Sequence, residues 1–345
     1  MIYSPHQDTL IGRWLDSLPF GENDPIVSLG EGNTPLVFAP HLSERLDAEI
    51  WLKLEGLNPT GSFKDRGMTA AISAAVRDNS PAVICASTGN TSAAAAAYSA
   101  RAGLSCIVVI PEGKIAAGKL AQALIYGAKV ISIGGNFDQA LELVREISQR
   151  HAITLVNSLN DYRLEGQKTG AFEVAQKLPT IDALSIPVGN GGNITAYWRG
   201  FKELGLTPKM LGFQAAGTAP LVDGLPVENP ETVASAIRIG KPARGVEALA
   251  AVAESAGALR KVTDEQILSA HHLLASREGI FCEPASATSV AGLLVHGTGG
   301  ARKIVCVLSG NGLKDPITAM EQVGKPIGCA PELRAVEELI FSLAE

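Results

Sequence analysis

The sequence predicts an α/β fold with mostly parallel sheets flanked by helices, and three observations favour it. Short apolar runs alternate with alanine- and leucine-rich segments of helical period along most of the 345 residues. The runs are nearly uncharged, as expected of strands that helices cover on both faces. Hydrophobic residues make up 46% and charged residues 19% of the chain, which suffices for one large core or two moderate cores.

The individual elements follow from these patterns. Six short runs rich in Val, Ile, Leu and Ala predict buried strands, and they lie at 82–86, 106–110, 129–133, 183–188, 210–214 and 303–308. Apolar residues at helical spacing predict helices at about 67–77, 91–102, 117–126, 137–150, 165–177, 193–204, 264–277 and 331–344. The last of these begins with a proline, which favours the first position of a helix.

Charge and cysteine usage exclude several classes of partner. The net charge is −6 and no run of Lys and Arg occurs, so we expect no nucleic-acid partner. The first residues lack a basic region followed by an apolar core, and polar residues interrupt the uncharged stretch 79–100, so we expect neither a signal peptide nor a membrane partner. The five cysteines form no C-x-x-C pair, which favours a reducing cytoplasm.

One lysine, Lys64, stands out in the loop-like stretch 61–67 (GSFKDRG). Burial beside Phe63, with Arg66 nearby, lowers the pKa of an amine and makes it a nucleophile suited to Schiff-base chemistry. The alternative is a solvated surface lysine, which is the commoner situation for a single lysine.

Three further polar segments each follow a predicted strand. The segment 87–91 (STGNT) opens an alanine-rich helix, so it suits either a bound carboxylate or a plain helix cap. The segment 189–193 (GNGGN) lets several backbone N–H groups approach one phosphate, or forms a tight strand-to-helix turn. A dinucleotide fingerprint is excluded because Ile194 stands where G-x-G-x-x-G needs its last glycine. The third segment is 309–312 (SGNG).

These four elements, in this order, resemble the fold-type-II pyridoxal-phosphate enzymes, the tryptophan synthase β-like family. Within it the chain is most similar to the threonine synthases. The stretches that carry this resemblance are 29–36 (LGEGNTPL), 62–67 (SFKDRG), 111–114 (PEGK), Asn157-Ser158, Tyr162-Arg163 and 283–287 (EPASA).

The resemblance implies two domains: a small mobile α/β domain at 61–158, and a large cofactor-binding domain formed by 1–60 plus 159–345. It implies pyridoxal 5′-phosphate as the cofactor, bound in the cleft between the domains, and a homodimer. No metal site is expected, since the six histidines show no metal-ligand spacing and His271-His272 fit a helix surface.

The resemblance also assigns roles to individual residues. Lys64 is the catalytic residue and holds the cofactor covalently. The other cofactor-binding residues are Asn90 at the phenolic oxygen, Gly189, Asn190, Gly191, Gly192 and Asn193 at the phosphate, and Ser309 at the pyridine nitrogen. The substrate-binding residues are Ser87 and Thr88 at the carboxylate, and Thr91, Ser158, Arg163 and Asn190 at the substrate phosphate.

Arginine suits a phosphate because its planar fork donates two parallel hydrogen bonds. From the residues alone, a surface ion pair of Arg163 with Asp161 or Glu165 is the commoner situation, and only the motif favours the phosphate site. No role follows for Glu283 or Ser286 beyond lining the cleft.

The reaction implied by the resemblance is the conversion of O-phospho-L-homoserine and water to L-threonine and phosphate, the last step of threonine biosynthesis. Two alternatives remain. One is a threonine or serine dehydratase of the same fold, which has no use for a substrate-phosphate site at Ser158 and Arg163. The other is a threonine-synthase-like protein that binds pyridoxal phosphate without turnover.

Overall fold

The computed structural model describes residues 8–112 and 117–344. Within them the strands, numbered in chain order, are β1 (Leu36–Phe38), β2 (Glu49–Leu54), β3 (Ala82–Ala86), β4 (Ser105–Pro111), β5 (Lys129–Ile133), β6 (Thr154–Leu155), β7 (Ala183–Pro187), β8 (Lys209–Ala215), β9 (Ala258–Val262) and β10 (Lys303–Leu308). The α-helices are α1 (Leu10–Arg13), α2 (Pro40–Leu46), α3 (Lys64–Arg77), α4 (Asn90–Ala102), α5 (Ala117–Ile125), α6 (Phe137–Arg150), α7 (Asp161–Lys177), α8 (Gly192–Glu203), α9 (Pro220–Asp223), α10 (Gly245–Glu254), α11 (Asp264–Glu278), α12 (Pro284–His296), α13 (Pro316–Glu321) and α14 (Leu333–Ala344).

The strands form two sheets. The larger has the order β1-β2-β10-β7-β8-β9 and the smaller the order β5-β4-β3-β6. All neighbours are parallel except β1 and β2. In the larger sheet β10 pairs with β2, so a strand near the end of the chain completes a sheet begun near its start. The smaller sheet uses only residues between β2 and β10. The predicted α/β fold with mostly parallel sheets is confirmed.

The inner strands of each sheet are covered on both faces. Along β10, Ile304, Cys306 and Leu308 belong to one apolar cluster, whereas Val305 and Val307 belong to another. Along β3 the residues also alternate between two clusters. Because successive side chains of a strand point to opposite faces, each sheet lies between two cores.

All six predicted strands are present, three of them at the expected bounds and the others within one residue. The prediction that each is buried is wrong for β5, an edge strand with no buried residue, whose Ile131 is 50% exposed. The predicted helices are also present, but α3 begins at Lys64 and not at 67, so the catalytic candidate is a helix residue rather than a loop residue. The C-terminal helix begins at Leu333, two residues after the expected Pro331. Several elements were not predicted, namely β1, β2, β9, α1, α2, α9, α10, α12 and α13.

Helices α3 and α7 pack closely because glycines face each other at their crossing. A Cβ atom added to Gly166 would lie 1.9 Å from the carbonyl oxygen of Arg66. One added to Gly67 would lie 2.8 Å from the carbonyl oxygen of Arg163. Neither position can accept a side chain without separating the helices. The crossing therefore brings the first turns of α3 and α7 together.

Four buried charges lock this crossing to β2. Arg66 donates to Glu55 (Nε–Oε2 2.7 Å) and to Glu173 on α7 (Nη2–Oε2 2.6 Å). Lys53 on β2 donates to the same Glu173 carboxylate at 2.6 Å. Burial favours the neutral form of Glu173, but Arg66 and Lys53 outweigh it and hold the pKa of Glu173 well below its usual range. The two cations and two carboxylates compensate each other within the core.

Some expectations about single features are corrected or fall outside the described residues. His271 was expected on a helix surface, but it is buried and its Nε2 lies 2.8 Å from the carbonyl oxygen of Cys282. Gly113 and Lys114 of the 111–114 stretch lie outside the described residues, as do the first seven residues. Among the helices that the structure describes, none is long and apolar enough to cross a membrane.

Candidate active site

A cavity of about 430 Å³ lies where the carboxyl ends of strands from both sheets converge. Its wall includes residues that follow β3, β4, β5, β6, β7 and β10. Parallel α/β sheets bind ligands at this end, since their loops and helix N-termini collect there. Every residue assigned to the site from the sequence lines this cavity: Lys64, Ser87, Thr88, Asn90, Thr91, Ser158, Arg163, Gly189, Asn190, Gly191, Gly192, Asn193 and Ser309.

Lys64 is the first residue of α3 and lines the cavity. Its Nζ is 4.2 Å from the centre of the Phe63 ring. Burial lowers the pKa of Lys64 to about 7, and the positive charge of Arg163 acts in the same direction. The sequence predicts that Arg66 supplies that charge. That expectation is wrong because Arg66 lies among the carboxylates of Glu55 and Glu173.

Arg163 is a buried cation in the first turn of α7, with 1% of its surface exposed. Its Nη1 donates to the Val156 carbonyl at 3.1 Å, while its Nε has no hydrogen-bond partner. Burial lowers the pKa of Arg163 to about 10, so the guanidinium remains protonated at neutral pH. Within the described part of the chain it forms no ion pair.

Asp161 and Glu165, the surface partners considered for Arg163, form ion pairs with other residues. Asp161 binds Arg244 at 2.7 Å. Glu165 binds Lys168 at 2.6 Å and Arg199 at 2.9 Å. This alternative is therefore wrong, and Arg163 lines the cavity as a buried guanidinium that makes no ion pair among the described residues.

The segment after β3 forms the start of α4 and holds Asn90 against a carboxylate. Ser87 Oγ accepts hydrogen bonds from the N–H groups of Gly89 (3.1 Å) and Ser92 (3.3 Å), so this side chain does cap the helix start. Asn90 Nδ2 donates to Glu283 Oε1 at 2.8 Å, and Asn90 Oδ1 is buried without a partner. Ser87, Asn90 and Thr91 at the start of α4 also line the cavity.

The glycine segment after β7 wraps the N-terminus of α8, whose first residue is Gly192. Gly191 has φ +82°, and a Cβ atom there would lie 2.4 Å from the carbonyl oxygen of Arg244. Glycine is thus required both by the backbone angle and by the segment packed behind it. Asn193 Oδ1 is buried without a partner, whereas Asn190 Oδ1 accepts from the N–H of Ala243 at 3.1 Å.

Ser309 follows β10 and lies 3.0 Å, Oγ to Oγ, from Ser286. Ser286 Oγ also accepts from the N–H of Gly310 at 2.8 Å. Ser286 thus forms a hydrogen bond with the hydroxyl of Ser309, and both residues are buried.

Arg244, which connects two walls of the cavity, was not predicted from the sequence. Arg244 Nε donates to the carbonyl of Ser158 (3.0 Å) and its Nη2 to the carbonyl of Leu159 (2.9 Å). Its backbone N–H donates to the carbonyl of Asn190 at 2.9 Å. No motif or periodicity marks this arginine, since its partners are 85 and 86 residues away for the side-chain bonds. The segments 227–230 and 235–240, the second of which begins with the short 3-10 helix Ser235–Ile237, also line the cavity and were missed for the same reason.

Comparison with known proteins places this site in a family. A family model described as pyridoxal-phosphate dependent enzyme matches residues 27–310. Threonine synthase from Synechocystis sp. is 56% identical over 340 residues, 95% of this chain and 89% of the relative. Threonine synthase from Halalkalibacterium halodurans is 57% identical over 325 residues, 91% of this chain and 92% of the relative.

The chain belongs to the threonine synthase family of pyridoxal-phosphate-dependent enzymes. It is therefore an enzyme that depends on pyridoxal phosphate, and the resemblance drawn from the motifs is confirmed. Among solved structures, maize serine racemase superposes with a TM-score of 0.74 over 91% of this chain and 93% of that one, at 20% identity. At that identity the likeness shows the shared fold alone.

The residues of the cavity fit the cofactor of this enzyme family. Lys64 supplies an amine whose pKa suits covalent attachment of an aldehyde. The glycine segment and the N-terminus of α8 supply backbone N–H groups suited to a phosphate. The buried Oδ1 of Asn193 has no partner among the described residues, as expected of a group that a polar ligand satisfies. No group of His, Cys, Asp or Glu among residues 8–112 and 117–344 is suited to a metal ion.

Proposed function

We propose that this member of the threonine synthase family converts O-phospho-L-homoserine and water into L-threonine and phosphate in the cavity at Lys64. The observation that carries the proposal is Arg163, a buried guanidinium without an ion pair in the described residues, beside a lysine of lowered pKa. Burying an uncompensated cation is costly unless a ligand supplies the opposite charge. A phosphorylated substrate supplies it.

The overall reaction makes clear what the residues must do. The bond from substrate Cγ to the phosphate oxygen breaks, and Cγ gains a proton. Cβ loses a proton and gains the hydroxyl group of water. Pyridoxal phosphate, when bound, supplies a conjugated ring that takes up the electron pair left when a C–H bond next to the substrate nitrogen breaks.

Lys64 is the proposed carrier of protons as well as the covalent anchor. With a pKa of about 7 its amine is available in both protonation states at neutral pH. Such a group accepts a proton from Cα and returns one at Cγ without a large energetic penalty in either direction. Burial first and the cation at Arg163 second lower the pKa of the free amine, so it is not fully protonated at neutral pH.

The remaining residues bind and orient the substrate in this proposal. Arg163, with Ser158, Thr91 and Asn190, holds the substrate phosphate. Ser87 and Thr88 at the start of α4 hold the substrate carboxylate, where the helix N-terminus favours negative charge. Two anionic groups fixed at different walls place Cα, Cβ and Cγ in the space beside Lys64.

The domain division, the oligomer and the cellular location belong to the same proposal. The small domain 61–158 closes the cavity over the substrate, because a water-sensitive reaction benefits from exclusion of bulk solvent. Its part after α3 carries the motion, since α3 itself is held to β2 and α7 by the buried ion pairs and the glycine crossing. The enzyme works as a homodimer in the cytoplasm and needs neither nucleic acid nor membrane as a partner.

Two alternatives are disfavoured by specific features. A dehydratase expels a β-hydroxyl group and gains nothing from a buried cation at Arg163. A binding protein without turnover does not require a cavity of about 430 Å³ that reaches the lysine amine and the buried guanidinium together.

The test is to incubate the enzyme and pyridoxal phosphate in D₂O with O-phosphohomoserine, and separately with threonine, and to identify products by NMR. Threonine with deuterium at Cγ, together with phosphate, is the expected result of the first sample. Release of 2-oxobutanoate from threonine alone would make the protein a dehydratase. Unchanged substrates in both samples, with the cofactor bound, would indicate the binding protein.

A further inference from the structure

A buried carboxylate, Glu283, faces the cavity and takes part in none of the steps above. It precedes α12 and has 1% of its surface exposed. Its Oε1 accepts the hydrogen bond from Asn90 Nδ2 at 2.8 Å. Its charge opposes the lowering of the Lys64 pKa, so it lies close to the amine as well.

The contact determines which way the Asn90 amide faces. An amide can turn by 180° at almost no steric cost, exchanging its oxygen for its nitrogen. An ionised carboxylate only accepts hydrogen bonds, so the Asn90 nitrogen must be the atom that faces Glu283. Asn90 Oδ1 is then buried away from any protein donor, and one N–H of Nδ2 remains for another acceptor.

The backbone around Glu283 is arranged to keep the carboxylate in this position. The N–H of Glu283 donates to the carbonyl of Gly310 at 3.1 Å. A Cβ atom added to Gly310 would lie 2.3 Å from Glu283 Oε1. Even a methyl group at this position would therefore displace the carboxylate.

The bond also joins elements that are distant in sequence. Asn90 is the first residue of α4, within the proposed small domain, and Glu283 is 193 residues later, in the proposed large domain. Asn90 is therefore oriented by the far wall of the cavity and not by its own helix.

We propose that Glu283 is a positioning residue: it fixes the Asn90 amide so that Nδ2 donates a hydrogen bond to the phenolic oxygen of bound pyridoxal phosphate. The proposal rests on the proposed function and on the placement of Asn90 at that oxygen. It gives a role to the glutamate of the 283–287 stretch, which the reaction scheme left without one.

The experiment compares two ligands on the apo-enzyme. Wild type and Glu283→Gln are titrated with pyridoxal phosphate and with its 3-deoxy analogue, which lacks the phenolic oxygen. Glutamine keeps the size of the side chain but also donates, so both amide orientations become possible. Ser289→Ala is the matched control, because it removes a buried polar group of α12 without changing the contact of Glu283 with Asn90.

We expect Glu283→Gln to weaken pyridoxal phosphate about fivefold, the size of one ordinary hydrogen bond, and to change affinity for the analogue less than about twofold. The absorption spectrum of the bound cofactor, which reports protonation at the phenolic oxygen, should change in Glu283→Gln and not in Ser289→Ala. Equal weakening of both ligands, or no weakening of either, would overturn the proposal.

A second variant, Gly310→Ala, tests the same proposal if Glu283→Gln does not fold. Gly310→Ala displaces the carboxylate while leaving its charge, and should show the same discrimination between the two ligands. Loss of both ligands to the same degree would count against the role of Glu283. Failure of the wild type to bind pyridoxal phosphate would instead contradict the proposed function.

Discussion

Arg66 Nη2 lies 2.6 Å from Glu173 Oε2, and this ion pair joins the first turn of α3 to the middle of α7. Glu55 binds the other side of the same guanidinium. Since Lys64 is two residues before Arg66, the buried ion network fixes the backbone that carries the reactive amine. The position of Lys64 thus depends on charges contributed by three separate parts of the chain.

Replacing Arg66 with Met should destabilise the protein strongly. It leaves the buried carboxylate of Glu55 without its cation and removes one of the three cations within 4 Å of Glu173, a change that costs about 3–5 kcal/mol. Arg302→Ala is the matched control, because the pair of Arg302 with Asp47 is exposed and such pairs contribute about 0–1 kcal/mol. Urea unfolding of both variants measures the difference, and equal small losses would show that the network is dispensable.

The amine of Lys64 should react as a base of unusually low pKa. In the apo-enzyme, acylation of Lys64 followed by mass spectrometry should be slow at acid pH, reach half its limit near pH 7, and level off above it. The same residue in the unfolded chain should show a midpoint near pH 10.4. The rate rises with pH because only the neutral amine is a nucleophile.

Removing the charge at Arg163 should move that midpoint upward. Arg163 is the second cause of the lowered pKa of Lys64 after burial, so Arg163→Gln lessens the repulsion of the protonated amine. A downward or unchanged midpoint would show that burial alone sets the pKa.

Arg163→Gln should also weaken binding of the phosphorylated substrate. Loss of a charged hydrogen bond of about 1.5–3 kcal/mol predicts a rise in KM of about tenfold or more, and a matching loss of inhibition by inorganic phosphate. Arg199→Gln, at a half-exposed ion pair with Glu165, should leave both unchanged. An unaltered KM in Arg163→Gln would remove Arg163 from the substrate-phosphate site.

The α3–α7 crossing predicts intolerance at one glycine. Gly166→Ala places a methyl group 1.9 Å from the Arg66 carbonyl oxygen, so the helices must separate and the stability should fall by about 1–3 kcal/mol or more. Gly134→Ala, where nothing lies within 4 Å, is the control and should be near neutral. Thermal unfolding and cofactor affinity should both suffer in Gly166→Ala, and a stability like that of the control would refute the close crossing.

The elements that sequence reasoning predicted well are those with a strong local signal. Strands β3, β5 and β10 have the expected bounds because each is a short apolar run ended by polar or glycine residues. The helix over 137–150 was also found at its bounds, where Asn136 and Gln139 form a capping box. The start of α12 was missed although Pro284 occupies its first position, which is a recognised helix-start signal.

The parts that escaped prediction depend on contacts distant in sequence. The resemblance selected residues that all line one cavity, and Lys64 and Arg163 come together only because Gly67 and Gly166 let two helices approach. Arg244 and the segments 227–230 and 235–240 carry no periodic pattern, so their place against the glycine segment follows only from the folded chain. The ion-pair partners of Arg66 could not be predicted from the sequence either. Its charge was therefore wrongly expected to lower the pKa of Lys64.

The most direct measurement is to reduce the holoenzyme with borohydride and locate the trapped cofactor by peptide mass spectrometry. Lys64 lies near the buried guanidinium of Arg163 at the cavity. Lys53 and Lys314 are buried elsewhere, where they bind the Glu173 carboxylate and the Thr60 carbonyl. A pyridoxyl group on Lys64 in wild type, and none on any lysine in Lys64→Ala together with lost turnover, is the predicted result. A modified lysine other than Lys64, or full activity in Lys64→Ala, would contradict it.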